Sequence, residues 1–140
     1  MIVPFPISIL LVDEDGSSDV SLRRSLEPEG HVCFWVSSLE TARAHLDRYP
    51  VHLVLCGVQL PDGSGRELIR YLAPRRPETC TLMLTSSEDL TEAIEGVAEG
   101  ALGYITRPIV RREASIQIAH ALHCRQLELE RLGAREALEH

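Results

Sequence analysis

A chain of 140 residues with 44% hydrophobic content has room for one domain whose core needs neither disulfides nor metal. Its formal net charge of −7, with no Lys/Arg cluster, argues against a nucleic-acid surface. No run of about eighteen apolar residues is present to span a bilayer. The N-terminal "MIVPFPISILLVDED" lacks the basic start and small-residue cleavage site of a signal peptide, so a cytoplasmic location is expected. Cys33, Cys56, Cys80 and Cys124 are widely spaced and form no CxxC pair; they read as buried thiols.

In chain order, Ile7 to Val12 is a short apolar run of the kind that suits a strand buried on both faces. Val20, Leu22 and Leu26 then give a weak helical stripe, ended by Pro28 and Gly30. His31 to Val36 is β-branched and aromatic, hence a second strand. Behind a plausible N-cap at Ser38, Leu39, Ala42 and Leu46 fall at helical spacing. Val51 to Cys56 is a third strand, running into Gly57 and the turn Pro61-Asp62-Gly63. Leu68, Ile69 and Leu72 follow Ser64 and are expected to stop before Pro74. Thr81 to Thr85 is the fourth strand; Leu90, Ile94, Val97 and Ala101 form the next stripe after Ser87; Gly103 to Ile105 is the fifth strand. Five β-α repeats require right-handed crossovers and a parallel sheet covered on both faces, a doubly wound α/β domain. Ligands of such sheets sit beyond the carboxyl ends of the strands, just after Val12, Cys56, Thr85 and Ile105.

Those ends carry "LLVDED" (Leu10 to Asp15), "LVLCGVQLPDGSG" (Leu53 to Gly65), "MLTSSED" (Met83 to Asp89) and "GALGYITRPI" (Gly100 to Ile109). The four segments, in this order, resemble the receiver domain of bacterial response regulators, and the resemblance covers nearly the whole chain. It implies the flavodoxin-like fold with strand order 2-1-3-4-5. It also implies a site in which an aspartate ending the third strand takes a phosphoryl group from a histidine kinase. Two acids after the first strand help hold Mg²⁺, and a Thr or Ser after the fourth strand and a Lys after the fifth bind the phosphoryl oxygens.

On that pattern Asp13 and Glu14 match the acidic pair as remnant Mg²⁺ ligands, Thr85 the hydroxyl, Tyr104 the aromatic that switches rotamer, and Arg107-Pro108 the position of a cis peptide. Two positions depart. Gly57 stands where the phosphoacceptor should be, and Arg107 stands where the lysine should be. Without a carboxylate at 57 there is no nucleophile, the metal loses a ligand, and Mg²⁺ binding is expected to be weak or absent. Loss of that carboxylate also leaves the pocket with less need of a cation. Arg107, a planar and permanently charged fork, is expected to reach Asp13 or Glu14 across the space left by Gly57.

The expected function is therefore that of an atypical receiver in two-component phosphorelay signalling, a non-enzymatic, phosphorylation-independent interaction or dimerisation module. The alternatives are a receiver phosphorylated at Asp13 or Asp62, or a small-molecule sensor using the Gly57 pocket. Asp62 is more simply a turn residue, Cys56 points toward a helix-covered core rather than a redox site, and His120 and His123 lack a third ligand. Residues 1–110 read as the receiver core, 111–137 as the final helix with an extension or linker, and 138–140 ("LEH") as the remnant of an appended tag. Ile118, Leu122, Leu129 and Leu132 give an imperfect heptad stripe favouring contact with another subunit or a C-terminal effector domain. The expected partner face combines the fourth helix, fifth strand and fifth helix; no membrane or nucleic-acid partner is expected.

Overall fold

The computed structural model describes residues 7–27 and 30–139; among these, side chains at 17–19, 21, 25, 132 and 134–139 are not described. Pro28, His140 and the Leu132 side chain therefore lie outside the described residues. The strands are β1 (Ser8–Val12), β2 (Val32–Val36), β3 (Leu53–Gly57), β4 (Cys80–Thr85) and β5 (Tyr104–Thr106). They alternate with α1 (Ser17–Leu26), α2 (Leu39–Arg48), α3 (Gly65–Arg75), α4 (Leu90–Ala98) and α5 (Arg111–Glu139). All pairings in the five-stranded sheet are parallel, in the order β2-β1-β3-β4-β5. This is the flavodoxin-like α/β arrangement expected from the strand-helix alternation.

Alternation along the strands sorts the core into two faces. Ile9, Leu11, Leu53, Leu55, Leu82 and Leu84 pack with Leu22 and Leu26 of α1 and with Ala114, Ile118 and Ala121 of α5. Leu10, Val12, Val54 and Cys56 pack on the other side with Leu39, Ala42 and Leu46 of α2 and with Leu68 and Leu72 of α3. Every residue of β3 and β4 is buried, which is why these strands read as continuous apolar runs. Two helix starts follow the expected chemistry. Ser38 accepts from Thr41 N in a capping box, and Ser64 accepts from Arg66 N while Glu67 reaches back to the Ser64 N–H.

Four local expectations are corrected. Pro74 does not stop α3; it lies in the last turn, where the helix ends two residues on at Arg76 N–H→Leu72 O. Ser87 does not cap α4, because Ser87–Asp89 forms a 3₁₀ turn ahead of it. The apolar stripe of α4 does not face the core either: Ala93 and Gly96 are buried, whereas Ile94 and Val97 are exposed. A Cβ on Gly96 would lie 3.2 Å from Met83 Cγ and Sδ, so the helix sits too close to β4 for a large side chain between them. Val20 is likewise exposed, leaving Leu22 and Leu26 to anchor α1.

Helix α5 runs for 29 residues, about 43 Å at the usual rise. Its first half packs on the sheet through Ala114, Ile118 and Ala121, and Leu122 is partly buried against the same cluster. Further along, Leu127 and Leu129 are exposed. Among the described residues no helix is long and apolar enough to cross a membrane.

Candidate functional site

The carboxyl ends of β1, β3, β4 and β5 bring Asp13, Gly57, Thr85 and Arg107 to one edge of the sheet. Asp13 is fixed through its backbone, since its N–H donates to Val36 O at 3.1 Å and its carbonyl accepts from Trp35 Nε1 at 2.7 Å. Arg107 follows β5 and is held beside Thr85 by Arg107 N–H→Thr85 O at 2.7 Å. The Arg107–Pro108 peptide is cis.

Those two anchors set the central contact. Arg107 Nη2 lies 2.8 Å from Asp13 Oδ1, with side-chain exposures of 32% and 5% respectively. The guanidinium thus engages Asp13, and Glu14 is exposed. A Cβ built on Gly57 would sit 3.1 Å from Asp13 Oδ1 and 3.5 Å from Arg107 Nη2, so the ion pair closes over the place where a side chain at 57 would begin. Asp13 Oδ2 is buried and has no hydrogen-bond partner.

The donor set can be tested against the Mg²⁺ that the resemblance implies. A divalent ion of that size wants near-octahedral oxygen ligation through at least one or two carboxylates. Here one oxygen of Asp13 is taken by a guanidinium, Gly57 offers no carboxylate, and the neighbouring cation opposes a second positive charge. Among the described residues no three His, Cys, Asp or Glu side chains come together to hold a metal. The residues do not fit such an ion.

The other candidates take separate places. Thr85 is fully buried, and its Oγ1 donates to Ser86 O at 3.0 Å. Tyr104 is exposed on β5, where it borders a groove with Val97 and Ile116. Asp62 is far more than a turn residue: its two oxygens accept from Leu39 N at 2.8 Å and Glu40 N at 3.0 Å, capping the start of α2. Those backbone N–H groups hold its carboxyl below the usual value. Burial, and secondarily the charge of Asp13, push the Cys56 thiol up to about 12, so it carries no thiolate for redox chemistry. Cys33 and Cys80 are buried as expected, but Cys124 is only half-buried. His120 and His123 are exposed; His120 Nε2 lies 3.5 Å from Cys124 Sγ.

Three arrangements escape a reading of the sequence. Trp35 pins the Asp13 loop through a contact 22 residues away in the chain. Gly65 lets α3 start directly on the end of β3: a Cβ there would fall 2.1 Å from Gly57 O. Arg66 and Arg70 of α3 clasp Glu95 and Glu99 of α4, and the two guanidinium partners lower the Glu99 carboxyl to about 2. "GSG" signals a loop, but nothing local distinguishes a turn glycine from one under a backbone carbonyl.

Residues 9–119 match the family described as "Response regulator receiver domain". The response regulator protein PilR of Pseudomonas aeruginosa is 36% identical over 93 residues, 66% of this chain and 21% of PilR. The hydrogenase transcriptional regulatory protein HoxA of Cupriavidus necator is 36% identical over 104 residues, 74% of this chain and 21% of HoxA. The chain spans about a fifth of the length of these relatives. A crystal structure of the signal receiver domain of an HD domain-containing protein from Pseudomonas fluorescens superimposes with a TM-score of 0.82 at 26% identity, covering 92% of this chain and 96% of that one. With the sheet order and the cluster at the strand ends already in place, this match over most of the chain makes it a member of the response regulator receiver domain family.

Proposed function

We propose that this receiver works in two-component signalling without aspartyl phosphorylation, as a non-enzymatic module that transmits state through protein contacts. The observation that carries the reading is the Arg107–Asp13 ion pair at 2.8 Å, closed over Gly57. The guanidinium supplies internally the positive charge that a metal would bring to a receiver pocket, and position 57 holds no nucleophile. Neither rival acceptor is a free carboxylate: Asp13 holds Arg107 through one oxygen and buries the other, and both oxygens of Asp62 accept from the amides of α2. A resident Mg²⁺ is not part of the proposal.

The contact face is formed by α4, β5 and α5. Val97 and Tyr104 are each 37% exposed and Ile116 is 60% exposed, and they border a groove of about 500 Å³. A partner or a second copy that binds one arrangement of this face better than another sets the state by that difference in affinity. Following α5, a C-terminal effector domain is the proposed output, and the proposed location is the cytoplasm.

The test is incubation with acetyl phosphate and Mg²⁺ followed by intact-mass measurement. The expected result is no adduct. A near-stoichiometric gain of about 80 Da, the mass of one phosphoryl group, removed by Asp13→Asn or Asp62→Asn, overturns the reading.

A further inference from the structure

At the end of the sheet opposite Asp13 and Gly57, a groove of about 410 Å³ lies between the body of the domain and the stretch of α5 that continues past it. Ile69 and Leu72 of α3 and Leu102 ahead of β5 line it from the body, and Cys124 and Arg125 line it from α5. Its volume is in the range of sites that take small organic molecules, which bury an apolar body and fix it with a few polar groups.

Charge narrows the occupant. In a chain of net charge −7, two guanidinium groups, Arg76 and Arg125, border this groove. Arg76 donates through Nη2 to Leu46 O at 2.8 Å, and its Nη1 stands 3.9 Å from Glu78, a loose pairing. Burial raises the Cys80 thiol and the charge of Arg125 pulls it back, while the thiol donates to Ala121 O at 3.6 Å; Arg125 Nε is buried without a partner. The one acid lining the groove, Glu128, is held by Arg131 at 2.7 Å. The local balance is positive, and Arg125 Nε finds no acceptor among the described residues.

We propose that this groove binds a small amphipathic anion, with its apolar part on Ile69, Leu72 and Leu102 and its acid group on Arg125 and Arg76. Because Cys124, Arg125 and Glu128 belong to α5 and the other lining residues to the body, an occupant bridges the two. Binding would then favour one direction of the emerging helix, a control independent of the Asp13 site.

The test uses octanoate as the anionic probe and 1-octanol as its neutral counterpart. Binding to the full chain is followed by calorimetry, and Cys124 alkylation by iodoacetamide is followed by peptide mass. Expected results are saturable octanoate binding, binding of octanol at least about tenfold weaker, and a loss of about tenfold in Arg125→Gln, as for one charge-assisted contact. Octanoate slows Cys124 alkylation, while Ile116→Ser, in the groove beside β5, leaves the affinity unchanged. If Arg125→Gln fails to fold by circular dichroism, Arg76→Gln carries the same expectation. Absence of saturable binding, equal binding of octanol, an unaltered rate at Cys124, or loss through Ile116→Ser with Arg125→Gln unaffected overturns the proposal.

Discussion

Gly57 and Gly65 stand on either side of one short hairpin, Gln59–Leu60 against Gly63–Ser64, and they are glycine for opposite reasons. At Gly57 a Cβ would meet Asp13 Oδ1 and Arg107 Nη2, the ends of side chains, at 3.1 and 3.5 Å, with Val12 O at 3.4 Å. At Gly65 it would strike the backbone carbonyl of Gly57 at 2.1 Å, where neither strand nor helix can yield cheaply. At 57 a small side chain meets groups that can yield; at 65 glycine is a steric requirement of starting α3 on β3. In the sequence Gly57 stands out, because the family resemblance leads one to expect a carboxylate there, while Gly65 is indistinguishable from any loop glycine.

Substitutions at four positions break or sharpen this contrast. Gly65→Ala should be the most damaging, costing about 3 kcal/mol in a denaturant titration, since relief requires α3 to move. A loss below about 1 kcal/mol would mean the helix start is free to slide. Arg107→Ala should cost about 2 kcal/mol: a fully buried carboxylate left unpaired costs more, but Arg107 is one-third exposed and the loss is reduced accordingly. Arg107→Lys should recover part of it, and an unchanged midpoint for Arg107→Ala would show that Asp13 does not depend on the pair.

Asp62→Ala should cost about 1 kcal/mol, the usual effect of removing a helix cap, and this loss should depend on pH. The folded carboxyl lies below its ordinary 3.8, so its contribution is present above that value and fades as pH falls through the folded value. The gap between Asp62→Ala and the parent should therefore hold at pH 6 and narrow in strong acid. A gap that widens on acidification would contradict the capping role. Gly57→Ala should be the mildest, within about 1 kcal/mol, because the flexible ends of Asp13 and Arg107 can give by a few tenths of an ångström. A loss matching that of Gly65→Ala would erase the distinction.

Much of the fold was legible because buried parallel strands leave continuous apolar runs, as in "LVLC" and "TLMLT", and because Ser38 and Ser64 announce helix starts. The inward face of α4 was not legible, since periodicity counts large apolar residues and this helix packs on its smallest ones, Ala93 and Gly96. At the site, Asp13, Gly57 and Arg107 could be named from the resemblance of their motifs to the receiver family, and the cation's reach toward Asp13 followed from its length and charge. The grip of Trp35 on Asp13 and of Asp62 on α2 span 22 and 23 residues, and no local pattern encodes such contacts.

The chain contains a single tryptophan, and its indole N–H rests on the carbonyl of the acid that Arg107 engages. Emission from that one fluorophore is thereby a built-in optical gauge of the acidic corner. A titrant, partner or substitution that displaces the carbonyl shifts the signal at its source, with no label attached and no other indole to dilute the reading.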